Sequence, residues 1–567
     1  MILRLPNMWG GGQLFAFSGL EGQTSWAAPF VGSLLDEGLA VDFHQSPPVV
    51  LEVTGPEAQV LEVKPEWVIG DAFEVAVSWP TGSGRVVAAF ADCWTLVGRA
   101  SEGLQVRLRE VADQPDQRHL QASGNFALVR GEQGVWVLAL DPEGPEAAHT
   151  RALEALRLDS AVVADERLAF VEELEVGEIL PPADERTYRK AASVLKTNVM
   201  APEGTIGRRW TTPDRWPHRH MWLWDSCFHA LGWLYLDSQL AMDAVEAMVE
   251  SAYPDGMIPL CSAPTPAPYK LSQPPLLAWT VWELHQATGD VDFPVRVYDG
   301  LAGYVRWFLN ERDRNHNGLL DWFKQDEDKL CHCGESGLDN SPRFDQPGID
   351  DHVDLSCMIY NEMECLARIA FIGDRFDEAA EWREQAQKLA AAINERMWDE
   401  ETGFYYDVRA DGELLKMKTV VGFLPMWAGI ASEERLGRLM AHLLDPREFA
   451  TEFPIPTVAL DEPSFTDDMW RGPTWINMNY LIFRGLMRNG LMAEANDLRA
   501  ATLRQIARWY GSEGSIYEYY DCFAKTAPRK LHRKGGVGGQ GGYGVGTIAD
   551  YGWSAALYVA LANEGIE

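Results

Sequence analysis

The sequence has no long apolar run: nowhere do about 18 residues pass without a charge or a proline, so no membrane-spanning helix is expected. Positive charge is also scarce. Against 84 acidic residues stand 49 basic ones, and a net charge of −35 repels nucleic acid and anionic membranes, which leaves neutral ligands as the expected partners. Solubility or adaptation to salt explains the acidity equally well. The eight cysteines are scattered, and the nearest pair, Cys331 and Cys333 around His332, lacks a second pair at zinc-binding spacing, so reduced thiols are expected. Met1 to Pro6 lack the basic stretch and the roughly 7 to 15 apolar residues of a secretory signal, so a cytoplasmic location is the default. A repeat of fixed period, the mark of a helical solenoid, is missing as well.

What is present divides the chain in two, as 567 residues would suggest. Up to about Glu175 the segments are short and alternating, as in Phe73 to Trp79 and Val135 to Leu140, with Gly and Pro turns between them. This pattern predicts an antiparallel β-sandwich over residues 1–178. After Pro181-Pro182 the apolar period becomes helical, starting behind Asp184 as a cap. Roughly a dozen helices are expected in 179–567, among them 223–236, 239–252, 275–288, 294–312, 352–372, 376–398, 475–488, 492–510 and 551–562. Long loops dense in Trp, Gly, Pro and Asp join several pairs. The pattern predicts a mainly α toroid of paired helices whose loops build a pocket at one rim.

Several loops carry chemistry. Asp339 lies in Gly337-Leu338-Asp339-Asn340-Ser341-Pro342, where Pro342 and the Asx and Ser side chains favour a turn. A carboxyl so held can point into a pocket or merely stabilise the turn; Glu335 and Asp345 are close enough in sequence to act with it. Glu518 lies in Tyr517-Glu518-Tyr519-Tyr520-Asp521, a short aromatic run with strand character, where an ionised carboxylate can activate water or simply face solvent. A glycosidic bond is cleaved by two carboxyl groups on its opposite sides, and these segments can supply one each. Trp222-Leu223-Trp224-Asp225 puts two sugar-stacking rings and an acid at a helix start, which equally suits core packing and capping. Arg471, before Gly472-Pro473-Thr474-Trp475, is placed to pair with a catalytic carboxylate, and Gln273 to bind a sugar hydroxyl. Asp313, Asn315, Asn317 and the Leu319 carbonyl form the opening half of a calcium loop with Gly318 at its sharp turn; Lys324 stands where an EF-hand has Glu, so a remote acid would have to complete the site. The basic, glycine-rich stretch 529–546 lacks the context of a phosphate loop and reads as a mobile flap.

Taken in order, Trp222 to Ser226, Gly337 to Pro342, Arg471 to Trp475, Tyr517 to Asp521 and Gly552-Trp553-Ser554-Ala555 resemble glycoside hydrolase family 63 and the mannosylglycerate hydrolase-like enzymes, with trehalases as distant kin. The resemblance covers roughly 185–567. It implies an (α/α)6 toroid behind the β-sandwich and an inverting mechanism, with Asp339 as general acid and Glu518 as general base. It further implies that Asp225 grips sugar hydroxyls, that Trp222, Trp224, Trp475 and Trp553 line the subsite, and that the 313–319 loop holds a structural calcium ion, with no cofactor for the chemistry. The chain departs from the pattern after Asp521, where 522–546 form a longer basic insertion.

The expected activity is that of an exo-acting α-glycosidase, an α-glucosidase first, on short saccharides. Glucosylglycerate or mannosylglycerate hydrolysis and trehalase activity are alternatives, the glycerate ones served by a cation from 529–534. A phosphorylase would not need a base at Glu518, and a non-catalytic sugar-binding protein would not need either carboxyl.

Overall fold

The computed structural model describes residues 13–27, 30–35, 39–43, 49–56, 60–110, 125–265, 267–325, 331–346, 348, 350–537 and 546–565. Met1 to Pro6 and the 538–545 part of the glycine-rich stretch lie outside the described residues. The amino-terminal part contains β1 (Gln13–Phe15), β2 (Gly32–Leu35), β3 (Ala40–Phe43), β4 (Val49–Thr54), β5 (Glu62–Ile69), β6 (Ala72–Trp79), β7 (Gly82–Asp92), β8 (Thr95–Ala100), β9 (Gln105–Glu110), β10 (Phe126–Arg130) and β11 (Val135–Leu140). They form two antiparallel sheets, ordered β1-β2-β3-β4-β9 and β10-β11-β8-β7-β6-β5. Alternate residues of both sheets, such as Phe43, Leu51, Phe73, Val75, Phe90 and Leu138, share one core.

The other face of the second sheet is covered by two helices that the sequence reading did not foresee, α1 (Pro145–Ala155) and α2 (Ser160–Glu172). Their signal was weak because the buried face of α1 is only Ala148, Ala152 and Ala155. The predicted sandwich is thus confirmed in its sheets and extended by a helical layer.

Among the described residues twelve α-helices follow: α3 (Glu185–Thr197), α4 (Leu223–Trp233), α5 (Ser238–Glu250), α6 (Leu277–Thr288), α7 (Asp292–Glu311), α8 (Val353–Ile372), α9 (Phe376–Arg396), α10 (Leu424–Ala428), α11 (Glu433–Leu443), α12 (Ile476–Arg488), α13 (Met492–Glu513) and α14 (Gly552–Asn563). Asp184 caps α3 through the Thr187 N–H at 2.9 Å, as its sequence context predicts. Alternate helices differ in burial. All of α4 is buried, whereas α9 buries only the stripe Ala379, Trp382, Ala386, Leu389 and Ile393. The even-numbered helices from α4 to α14 each pack on the next, and α14 packs back on α4. That last approach is close: a Cβ on Gly232 would meet the Ala556 Cα at 2.5 Å.

The sheets join the helices through buried charge. Lys196 of α3 meets Asp71 at 3.0 Å and Glu21 at 2.8 Å, and Asp550, paired with Lys190 of α3 at 2.9 Å, accepts the Leu14 N–H of β1 at 3.2 Å.

Candidate active site

The segments that lead into the amino-terminal ends of α4, α6, α8, α12 and α14 enclose a cavity of about 380 Å³. Trp222, Trp224 and Asp225 reach it from the start of α4, Gln273 from before α6, Asp339 from before α8, Trp475 from the start of α12, Glu518 from after α13 and Trp553 from the start of α14. Helix starts far apart in the chain are thus gathered because the inner helices run side by side.

Arg471 is the exception among the residues expected to meet a sugar. It donates to both Asp345 oxygens at 2.8 and 2.7 Å and to the Asn340 carbonyl at 3.1 Å, so it braces the loop that carries Asp339. Glu335 is also elsewhere, fully buried against Arg312 at 2.6 Å and accepting the Ser272 N–H. The Asp339 loop needs its glycine. Gly337 has φ +69° and sits where a Cβ would lie 2.4 Å from the Trp224 ring.

Glu518 belongs to no strand, because its neighbours make only single bridges, Tyr517 with Ala549 and Tyr520 with Thr474. It is fixed instead by its backbone. Its N–H donates to the Ile548 carbonyl at 2.9 Å, and its carbonyl accepts from Trp553 Nε1 at 3.3 Å. Burial pushes its carboxyl above the usual range, while the charges of Arg533 and His218 pull it back. Burial also drives Asp225 well above the ordinary range, helped by the charge of Glu518; the Tyr551 hydroxyl donates to it at 3.2 Å and opposes that rise. Asp225 therefore gains most from ligand hydroxyls that donate to it.

The walls are aromatic. Trp470 and Trp475 stack at 3.6 Å, Tyr519 continues the stack at 4.7 Å, and Trp553 sets its edge against Trp224 at 5.2 Å. Trp224, Trp475 and Trp553 are themselves buried, so they are core and cavity lining at once. Gln273 accepts the Trp224 N–H at 3.3 Å, which orients its amide.

The site also contains residues that sequence reasoning did not place there, His218, Tyr269, Trp470 and Tyr551, and two that it offered only as part of a stretch able to supply a cation to glycerate, Arg533 and Lys534. What the sequence did not indicate is their pairing with Glu518 and Asp339. These two cations sit on a two-stranded ribbon, His532–Arg533 paired with Gly536–Val537, whose turn is clasped by Asp468 through the N–H groups of Lys534 at 2.6 Å and Gly535 at 2.8 Å. Arg533 donates to Glu518 Oε2 at 2.7 Å, and Lys534 Nζ meets Asp339 Oδ2 at 2.7 Å. Two consecutive cations thus meet the two carboxylates that were expected to cleave the bond.

The family described as mannosylglycerate hydrolase MGH1-like glycoside hydrolase domain matches residues 218–554. The chain belongs to this family. A mannosylglycerate hydrolase from Thermus thermophilus is 26% identical over 449 residues, 65% of this chain and 98% of that protein. An uncharacterized protein from Borreliella burgdorferi is 30% identical over 236 residues, 41% of this chain and 46% of that protein. The solved structure of a GH63 mannosylglycerate hydrolase from Thermus thermophilus in complex with glucose is 25% identical, has a TM-score of 0.53 and covers 66% of this chain and 99% of that one. The protein is a glycoside hydrolase.

Away from the cavity of this glycoside hydrolase, the 313–319 loop turns through Gly318 at φ +83°. Asp351, ahead of α8, is an acid beside it: its oxygens accept from the Asn315 amide at 2.8 Å and the Asn317 amide at 2.7 Å. Two carboxylates, two amides and the Leu319 carbonyl suit a hard cation in kind. Arg396 opposes one, since it already donates to Asp351 at 3.2 Å and to the Asn317 carbonyl at 2.9 Å. Among the described residues no three His, Cys, Asp or Glu side chains gather at metal-binding distance, and no helix is long and apolar enough to cross a membrane.

Proposed function

We propose that the protein is an inverting, exo-acting α-glycosidase that releases a glucosyl unit from short α-linked saccharides or glycosides. The observation that carries this reading is the meeting of Asp339 and Glu518, from segments far apart in the chain, in one aromatic cavity with the buried Asp225. The helices α3 to α14 form the (α/α)6 toroid of six pairs, and the amino-terminal rim of the inner, even-numbered helices is the active face. Trp222, half-buried beside the deeper Trp224, Trp475 and Trp553, takes the apolar face of the sugar, while Asp225 and Gln273 take its hydroxyls.

Asp339 gives its proton to the leaving oxygen as the anomeric C–O bond breaks. Glu518, ionised, removes a proton from water that attacks the opposite face, so the configuration inverts. Arg533 favours the ionised base. Lys534 pairs with the acid, and that pair must open before Asp339 can donate a proton. Glycoside binding in the leaving-group half of the cavity is what displaces it.

A second reading concerns the leaving group. Arg533 and Lys534 in the cavity, and the mannosylglycerate hydrolases among the relatives, favour glycerate, whose carboxylate would take over Lys534 from Asp339. Incubation with trehalose, maltose, glucosylglycerate and mannosylglycerate, following the released sugar by NMR, tests both. Turnover restricted to the glycerate compounds selects the second reading, and phosphate-dependent release of a sugar phosphate would replace both with a phosphorylase. The 313–319 loop, with Asp351, holds a structural calcium ion remote from the chemistry.

A further inference from the structure

A second cavity, of about 400 Å³, lies at the other end of the inner helices, within the roughly 300–1,000 Å³ typical of ligand pockets. Its lining comes from later helical turns: Glu283 of α6, Asn361 and Arg368 of α8, Trp427 near the end of α10, and Arg484 and Arg488 of α12. The active-site residues, by contrast, precede or begin those helices.

The three guanidinium groups are not equally committed. Arg484 pairs with Glu283 at 2.6 Å and lies 3.9 Å from Glu564. Arg488 has neutral acceptors only, Asn361 Oδ1 at 3.2 Å and the Trp427 carbonyl at 3.1 Å. Arg368 lies over the Trp282 ring, 5.6 Å from its centroid, and among the described residues makes neither an ion pair nor a hydrogen bond. Helix ends account for part of this charge, because the last turn of a helix carries about half a negative charge and Arg488 serves a carbonyl at the end of α10. Arg368 serves none. Two cations without a carboxylate thus face one concave space in a chain whose net charge is −35. Charges gathered against the sign of the whole molecule, and partly shielded from water, favour an anion between them.

We propose that this cavity is a second binding site, separate from the site of cleavage, for a small anionic ligand with hydroxyl groups, of the class of monosaccharide phosphates. Its phosphate receives Arg368 and Arg488, whose planar forks match phosphate oxygens in pairs. Glu283 and Asn361 provide acceptors and donors for ring hydroxyls. The inference does not depend on the assignment of Asp339 and Glu518.

The test is calorimetric titration of the full chain with glucose 6-phosphate, with inorganic phosphate and glucose as separate probes. Saturable binding of glucose 6-phosphate is expected in the wild type and unchanged in Asp339→Asn, and weakened by about tenfold or more in Arg368→Gln, as loss of one charge-assisted partner requires. Glucose alone should leave the Arg368→Gln and wild-type traces alike, and inorganic phosphate should bind more weakly than the sugar phosphate. Because Arg368 makes no ion pair or hydrogen bond among the described residues and only rests on the Trp282 ring, the thermal midpoint of Arg368→Gln should stay close to that of the wild type, which separates lost binding from lost folding. No saturation at millimolar ligand, binding that Arg368→Gln leaves intact, or binding abolished by Asp339→Asn would overturn the proposal.

Discussion

At the scale of single residues, the mechanism we propose rests on two carboxyl groups with different surroundings. Glu518 is buried and held up in its titration, so activity should fall on acidification at a higher pH than for an ordinary glutamate. Arg533 pulls in the opposite direction. Arg533→Gln removes that pull, lets Glu518 take a proton at still higher pH, and should move the acidic limb of the kcat/KM profile upward, as rate measurements from pH 4 to 8 would show. Asp339→Asn and Glu518→Gln should each cost roughly 10²–10⁴-fold in kcat, and Glu518→Gln should also lower the thermal midpoint, because it leaves the buried Arg533 without its carboxylate. Lys534→Met should raise KM for a glycerate glycoside, and leave KM for a neutral disaccharide nearly unchanged, if glycerate is the leaving group.

At the scale of elements, the helices from α3 onward were legible because their apolar period is strong, and nine of those expected appear with ends shifted by only a few residues. Short α10 and the alanine-faced α1 were not, since five residues or a face of methyl groups give no period to read, whereas α11, with its buried Leu439, Met440 and Leu443, carried a readable stripe and was passed over. Six of the seven residues expected to bind sugar reached the cavity. Arg471 did not, because Asp345, six residues beyond Asp339, claims its guanidinium first. The ribbon that brings Arg533 and Lys534 inward depends on Asp468 and on Tyr519, partners no local pattern reveals. The 313–319 loop can be tested directly: with calcium bound, addition of a chelator should lower the thermal midpoint by several degrees and leave kcat at low temperature almost unchanged. An unmoved midpoint would mean that Asp351 and Arg396 close the loop without an ion.

At the scale of the whole molecule, the sheets and the helices are joined by charges that neither could bury alone. Lys196 stands between Asp71, fully buried, and Glu21. Burial pushes Asp71 upward and Lys196 restrains it. Lys196→Met leaves that acid without a counter-charge, so the loss should be about 3–5 kcal/mol and should grow as pH rises, since Asp71 can remain protonated only at low pH. Chemical unfolding followed by fluorescence and circular dichroism should still show one transition. The same packing that fixes this junction sets the inner helices side by side and presents their amino-terminal ends to one cavity.

The most direct test of the central claim is the anomeric form of the first sugar released from an α-linked substrate, followed by NMR before mutarotation. β-Anomer is expected, lost in both Asp339→Asn and Glu518→Gln; release of α-anomer, or full activity in either variant, would contradict inversion by these two carboxyl groups.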